Sequence, residues 1–304
     1  MKVITHELIL SLNISPKQCY EWVNEIYYKK ALCYLPAKIS MKHDNHIFYN
    51  IMPSIIEGYK IAGVKIVTRY PNREPALDSQ ILLYNFENGK IQALLDGNFI
   101  TTMRTGATAA LSVNLYALSD YREIGLIGLG NTARASLDVL LSTIKDKELI
   151  IKLYKYKNQA DLFIERYKNY SNITFVICDT YKEVIKNSDV IISSVTYAEQ
   201  DFGKDEWFKE GVLVIPIHTL GFQNCDLFFD KVFTDDIEHI RGFKYFDRFK
   251  HIAENSDVLT GKCKGRTSEI ERIIAYNIGI SLSDVFFATK IVNMINADIK
   301  KIDL

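Results

Sequence analysis

Five sites in this chain carry residues that could do chemistry, and each lies in a pattern that limits what the chemistry is. Gly128-Leu129-Gly130-Asn131-Thr132-Ala133 follows the apolar run Ile124, Leu126, Ile127 and leads into a stripe of Ala135, Leu137, Val139 and Leu140. A G-x-G-x-x-A turn between strand and helix suits a dinucleotide. Gly128 permits the tight turn, Gly130 lets the backbone approach a pyrophosphate, and Ala133 lets the helix pack closely. The helix start then offers unpaired N–H groups to the anion. Arg104 stands between Thr102 and Thr105 at the mouth of an apolar helix. Its guanidinium suits a carboxylate, gripped through two parallel hydrogen bonds, and equally a helix cap or a structural ion pair. Lys65 lies inside the apolar run Ile61 to Val67. A lysine there is either paired or reaching water, and the pattern alone favours an edge lysine. The strand that ends Leu153-Tyr154-Lys155-Tyr156-Lys157 has no acid between Ile150 and Gln159. A carboxylate at this place reads the ribose of NAD, whereas cations suit a 2′-phosphate. Lys155 and Lys157 therefore favour NADP(H), with NAD(H) possible and a solvated strand end as the plain alternative. His218 follows the strand Val212 to Ile217. It is a candidate for proton exchange near neutral pH, or simply a satisfied strand-end histidine.

The elements that position these residues change character along the chain. Val3 to Leu10 reads as a strand, and Ser15-Pro16 opens an amphipathic helix through Tyr20, Val23, Ile26 and Tyr27. Strands at Tyr59–Val67, Gln80–Asn85 and Ile91–Leu95, with Glu87-Asn88-Gly89-Lys90 as a hairpin signal, predict an antiparallel sheet. Thr101 to Leu118 is helical, with Ala107, Ala110, Leu111 and Leu115 as its stripe. Beyond it strands and helices alternate to Ile217, which predicts a parallel sheet wrapped by helices. Ser268 to Leu304 reads as two helices broken at Gly279.

Composition sets the outer bounds. The 304 residues suffice for one large or two medium domains, and 37 basic against 37 acidic side chains favour neither nucleic acid nor an anionic membrane. No run approaches the length of about 20 apolar residues needed for a membrane span. Cys19, Cys33, Cys178, Cys225 and Cys263 are odd in number and widely spaced, which suits a reducing cytoplasm. His43-Asp44-Asn45-His46 has no second cluster at metal-ligand spacing, so it reads as a polar turn and no metal is expected.

The segments Ala62-Gly63-Val64-Lys65-Ile66-Val67, Leu94-Leu95-Asp96-Gly97-Asn98-Phe99-Ile100-Thr101-Thr102-Met103-Arg104-Thr105-Gly106-Ala107, Ser188-Asp189-Val190-Ile191-Ile192-Ser193-Ser194-Val195-Thr196, Gly261-Lys262 and Gly265-Arg266-Thr267, together with the glycine turn, resemble the ornithine cyclodeaminase/mu-crystallin family over almost the whole chain. The resemblance implies an α/β protein: a Rossmann dinucleotide-binding domain (116–280) inserted in an α+β substrate and dimerisation domain (1–115 plus 281–304). It implies cofactor contacts at Thr105, Gly128, Gly130, Asn131, Thr132, Ala133, Lys155, Lys157, Ser194, Val195 and Thr196. Arg104, Met52 and Lys38, the last where relatives commonly carry arginine, would face the substrate, and Lys65 would lie by its carboxylate and reacting carbon. One departure bears on activity. True cyclodeaminases carry Gly-Gly-Asp or Gly-Ala-Asp and then Pro-Gly-Lys-x-Glu-Leu after the strand at 212–217. Here Asp226-Leu227 can stand for the Glu-Leu, but His218 occupies the neighbourhood of the missing Asp.

The resemblance thus implies hydride transfer at the α-carbon of a small amino or imino acid by an NAD(P)H-dependent oxidoreductase of imine-reductase or amino-acid dehydrogenase type. An ornithine cyclodeaminase-type lyase with recycled NAD and a non-catalytic NADPH-binding protein are the alternatives. A homodimer is implied with either.

Overall fold

Two sheets of different kind organise the chain. The structure, a computed structural model, describes residues 1–43, 47–196, 198 and 200–302, with side chains up to residue 297. One unit comprises Met1–Arg104 and Ile280–Leu304, the other Thr105–Gly279. The first division falls inside a helix, Asn98–Tyr116, rather than at its end near residue 115 as the sequence pattern suggested.

The first unit begins with β1 (Lys2–Ile4) and α1 (His6–Ser11). The expected strand to Leu10 is thus cut short, because Thr5 caps a helix by accepting the Leu8 N–H at 3.3 Å. In α2 (Pro16–Tyr28), Ser15 and Gln18 form the capping box and Pro16 holds the first turn. Then come β2 (Cys33–Tyr34), β3 (Ile39–Lys42), β4 (Phe48–Ile56), β5 (Ile61–Arg69), β6 (Leu77–Asn85), β7 (Ile91–Asp96) and α3 (Asn98–Tyr116). The sheet order is β1-β7-β6-β5-β4-β2, with β3 also on β4. The β4 to β7 pairings are antiparallel, as expected, and Gly89 takes φ +67° in the β6–β7 turn. Along β5, Ile61, Gly63, Lys65 and Val67 are buried on one face. That face is covered by α8 (Ser281–Ile302), which packs on β4, β5 and β6 through buried residues including Leu282, Val285 and Phe286. The approach is close enough that a Cβ at Gly63 would come within 2.8 Å of Val285.

The second unit runs through β8 (Glu123–Ile127), α4 (Asn131–Thr143), β9 (Leu149–Tyr154), α5 (Gln159–Tyr167), β10 (Ile173–Cys178), α6 (Tyr181–Ile185), β11 (Val190–Ser193), β12 (Leu213–Pro216), β13 (Lys231–Thr234), β14 (Ile252–Glu254), α7 (Asn255–Leu259) and β15 (Ile273–Tyr276). All eight strands are parallel, in the order β10-β9-β8-β11-β12-β15-β13-β14. The first five reproduce the doubly wound order whose ligands bind at the carboxyl ends of the strands. β15 corrects the reading of 268–304 as two helices. Ile273, Ile274, Ala275 and Tyr276 are all buried and lie between β12 and β13, and a short apolar run has no periodicity that tells strand from helix. β13 and β14 lie beyond the alternation the sequence revealed.

Candidate active site

In the first unit the sheet brings charge into the core. Lys65 lies on β5 opposite Met52 of β4 and Ile81 of β6, so it is not an edge lysine. It is 1 % exposed, and its Nζ donates to Asp284 Oδ1 at 2.9 Å. Arg104 Nε donates to the same oxygen at 3.0 Å. Asp284 is fully buried, and its Oδ2 has no hydrogen-bond partner among the described residues. Burial pushes the Lys65 ammonium down to about 8; Asp284 opposes this, while Arg104 and Lys38 add to it. Lys38, half-buried just before β3, is therefore close enough to be felt. Of the readings of Arg104, the structural ion pair is what the geometry shows. Met52 is 5 % exposed.

Asp284 escaped the sequence reading. Its signal was the one that singled out Lys65: a charge within an apolar element, here among Leu282, Val285, Phe286 and Phe287. Nothing in the pattern pairs it with Lys65, from which 219 positions separate it.

In the second unit the glycine turn opens a cleft of about 560 Å³, lined by Gly128, Gly130, Tyr154, Tyr181, Ser194 and Thr196 among others. Gly128 takes φ +86°, and a Cβ there would come within 2.9 Å of Ser194 backbone atoms, so glycine is required. A Cβ at Gly130 would meet nothing within 4 Å, which leaves its backbone open on the cleft. Gly130 is also the N-cap of α4 and offers no side-chain cap, so the first N–H groups of that helix stay available to an anion. This cradle fits the pyrophosphate of a dinucleotide. Val195 lines the cleft too, and Ser194 is fixed by Oγ donating to Gly128 O at 3.2 Å. Asn131 is exposed, Thr132 half-buried and Ala133 buried at the start of α4. Thr105 is buried on α3, and none of these four is in the cleft lining.

Lys155 and Lys157 are likewise outside the lining, while Tyr154 and Tyr156 beside them belong to it. Lys155 is paired with Asp179 at 3.2 Å on an exposed strand end. Lys157 takes φ +51°, and its ammonium stands 5.3 Å from the Tyr156 ring.

His218 follows β12 in the second unit. Its Nε2 is 2.7 Å from Ser193 Oγ, and burial pushes its pKa down to about 4, with the Leu220 backbone opposing. A ring so placed is neutral at pH 7 and is a hydrogen-bond partner of Ser193. Asp226 is buried and accepts from the Tyr276 hydroxyl, and burial raises its carboxyl to about 6. Arg266, from the Gly-Arg-Thr segment, is a backbone clamp. Its guanidinium donates to the carbonyls of Tyr116 at 2.7 Å and Gly211 at 2.8 Å. Residues 44–46 of the His43–His46 turn lie outside the described residues, among which no group of three or more His, Cys, Asp and Glu could hold a metal.

Comparison with known proteins settles the lineage. The model of the ornithine cyclodeaminase/mu-crystallin family matches residues 13–298. The chain belongs to this family. It is 23% identical over 258 residues to a Δ1-pyrroline-2-carboxylate reductase of Bacillus cereus, covering 78% of each. Among solved structures it matches the Δ1-pyrroline-2-carboxylate reductase of Thermococcus litoralis in complex with NADH and L-proline with a TM-score of 0.83 at 23% identity, covering 96% of both chains. It matches an archaeal alanine dehydrogenase dimer with bound NAD at 0.83 and 22%, covering 96% and 94%. At such identities these two likenesses show the fold: a Rossmann-type sheet joined to a second α+β unit.

Proposed function

We propose that this family member is an NAD(P)H-dependent oxidoreductase acting on the C–N bond of a small amino or imino acid, with net reduction of an imine or ketimine. The observation that carries the reading is the buried cluster of Lys65, Arg104 and Asp284, with Lys38 near it. It gathers the cationic groups of Lys65 and Arg104 at one buried carboxylate, with Lys38 close enough to act on Lys65, an array suited to orienting a carboxylate substrate. The residues of 1–104 and 280–304 would hold the substrate, and the cleft of the second unit would hold the cofactor. Reduced nicotinamide, when bound, supplies a hydride to the imine carbon. Arg104 and Lys38 orient the carboxylate, and Lys65, charged below about pH 8, gives its proton to the nitrogen, so that C=N becomes CH–NH. The names of the B. cereus and T. litoralis relatives support a reductase of this kind.

The Asp that true cyclodeaminases carry after the strand at 212–217 is missing here, which supports the reductase over the cyclodeaminase. The test is loss of reduced-nicotinamide absorbance with a panel of cyclic ketimine carboxylates. Turnover with any of them is the expected result. Bound cofactor without turnover would leave the non-catalytic binding protein, and ammonia release from L-ornithine with catalytic NAD⁺ would restore the lyase.

NADP(H) is the proposed cofactor, with Lys155 leaving Asp179 to meet a 2′-phosphate. NADPH should then bind about tenfold or more tightly than NADH, and Lys155→Ala should erase the difference. Equal affinities in the wild type would remove the preference. A homodimer is also proposed. The sheet face of the first unit turned away from α8 is apolar, with Ile51, Ile55, Val64, Ile66 and Leu82 only half-buried and Met41 exposed. Sedimentation as a monomer at micromolar concentration would refute it. No helix among the described residues is long and apolar enough to cross a membrane. All five cysteines are free, and a reducing cytoplasm is the proposed setting.

A further inference from the structure

The cleft of the second unit has two flanks of different character. The Gly128 turn follows β8, and β8 lies between β9 and β11. On the β11 flank the lining is Ser194, Val195 and Thr196; on the β9 and β10 flank it is Tyr154, Tyr156 and Tyr181. Tyr154 closes β9, and Tyr181 opens α6 just after β10. Their rings stack with centroids 4.2 Å apart and planes 29° apart. Phe202, also in the lining, leans on Tyr181 at 4.7 Å. Tyr156 adds a ring that is 52 % exposed. Tyr154 and Tyr181 also pack against the core of the second unit, but both are only half-buried and, with Tyr156, they line one flank of an open cleft. A pyrophosphate over the middle strand's turn puts one nucleoside on each flank, and the flank at the end of the second strand takes the adenosine. Adenine is a flat π surface that gains by lying against aromatic faces, whereas hydroxyls and backbone suit the amide of a nicotinamide.

We propose that the stacked Tyr154–Tyr181 pair is the seat of the adenine ring and that Tyr181 decides how tightly the adenosine half of the cofactor is held. The inference rests on reading the cleft as a dinucleotide site, and it adds the residue that selects for the dinucleotide over the bare nicotinamide nucleotide. It also places Lys155 and Lys157 on the flank where the adenosine ribose, and any 2′-phosphate, must lie.

The test titrates the full chain, as wild type and as Tyr181→Ala and Tyr181→Phe, with NADPH, with ADP-ribose, and with reduced nicotinamide mononucleotide in competition. Loss of one base–aromatic stack predicts that Tyr181→Ala weakens NADPH and ADP-ribose about tenfold or more, leaves the mononucleotide within about twofold, and that Tyr181→Phe binds all three like wild type. Undiminished binding of NADPH by Tyr181→Ala overturns the proposal, and so does an equal loss of all three ligands. Should the alanine variant fail to fold, Tyr181→Leu keeps apolar bulk without a π face; the same selective loss supports the proposal and full retention overturns it. A wild-type protein that binds neither NADPH nor NADH overturns the cofactor reading itself, an outcome distinct from a tyrosine effect that is absent or unselective.

Discussion

Lys65, buried in the first unit, and His218, half-buried in the second, are titratable side chains that end in opposite states. Burial lowers the pKa of both. Lys65 has a carboxylate at 2.9 Å and is held at about 8, so it is charged at neutral pH. His218, with a hydroxyl at 2.7 Å and the Leu220 backbone opposing the shift, falls to about 4, so it is neutral. The two values fall by similar amounts, from 10.5 and from 6.5; Asp284 offsets part of the desolvation of a fully buried lysine, and the ordinary values of the two side chains set which is charged at pH 7. The first unit keeps positive charge in its core, and His218 adds none to the second.

The contrast breaks most decisively at Asp284. Asp284→Asn keeps the volume but leaves Lys65 and Arg104 with no anion at their shared oxygen. Removing one partner of a buried ion pair costs about 3–5 kcal/mol, and urea unfolding at pH 7 should show a loss of that size. A loss below about 1 kcal/mol, in the range of exposed pairs, would mean that the carboxylate does not hold Lys65 charged, and the contrast with His218 would collapse.

The Asp284 pairing also marks what the sequence withheld. Local patterns were readable. The glycine turn and the helix start at Ser15-Pro16 lie where spacing put them. Short-range chemistry fixes such features within one or two turns of chain. The partner of Lys65 is a long-range fact, since register puts β5 in mid-sheet and α8 returns from the far end of the chain to cover it. Without that return an isolated lysine in an apolar strand reads as an edge residue. The same limit hid β15, whose four apolar residues are defined as strand only by neighbours drawn from elsewhere. His218 was visible, but its state was not. Its neutrality comes from burial against a ring 6.0 Å away at Phe202 and from Ser193, neither of which spacing reveals.

Asp226 sharpens the comparison from the acidic side. It is buried like Lys65, its Oδ2 has no partner among the described residues, and its carboxyl rises from 3.8 to about 6. A raised folded-state value favours the protonated form. The stability it gives is full below pH 3.8 and is lost as pH rises through about 6. Asp226→Asn keeps an acceptor for the Tyr276 hydroxyl and does not titrate. It should therefore be more stable than wild type by about 2 kcal/mol at pH 7, with the gain fading toward pH 4. A variant less stable at pH 7, by calorimetry or urea, would show that the ionised carboxylate is wanted there and that burial does not dominate at this site.

The smallest effect is expected at His218 itself, and it separates the two roles considered for that ring. Its folded-state value lies below the ordinary 6.5, at about 4. The stability contributed by the neutral ring is full above pH 6.5 and is lost as pH falls through about 4. His218→Gln retains a hydrogen-bonding group for Ser193 and carries no proton equilibrium. Wild type should lose about 1 kcal/mol relative to this variant between pH 7 and pH 5, after allowance for the partial exposure of the loop that carries it. The shape of the kcat/KM profile for imine reduction should stay the same in the two proteins over that interval, whatever its height. A profile that loses a limb between pH 5 and 7 in His218→Gln would make the histidine a proton carrier after all. Lys65 would then be left as a carboxylate anchor alone.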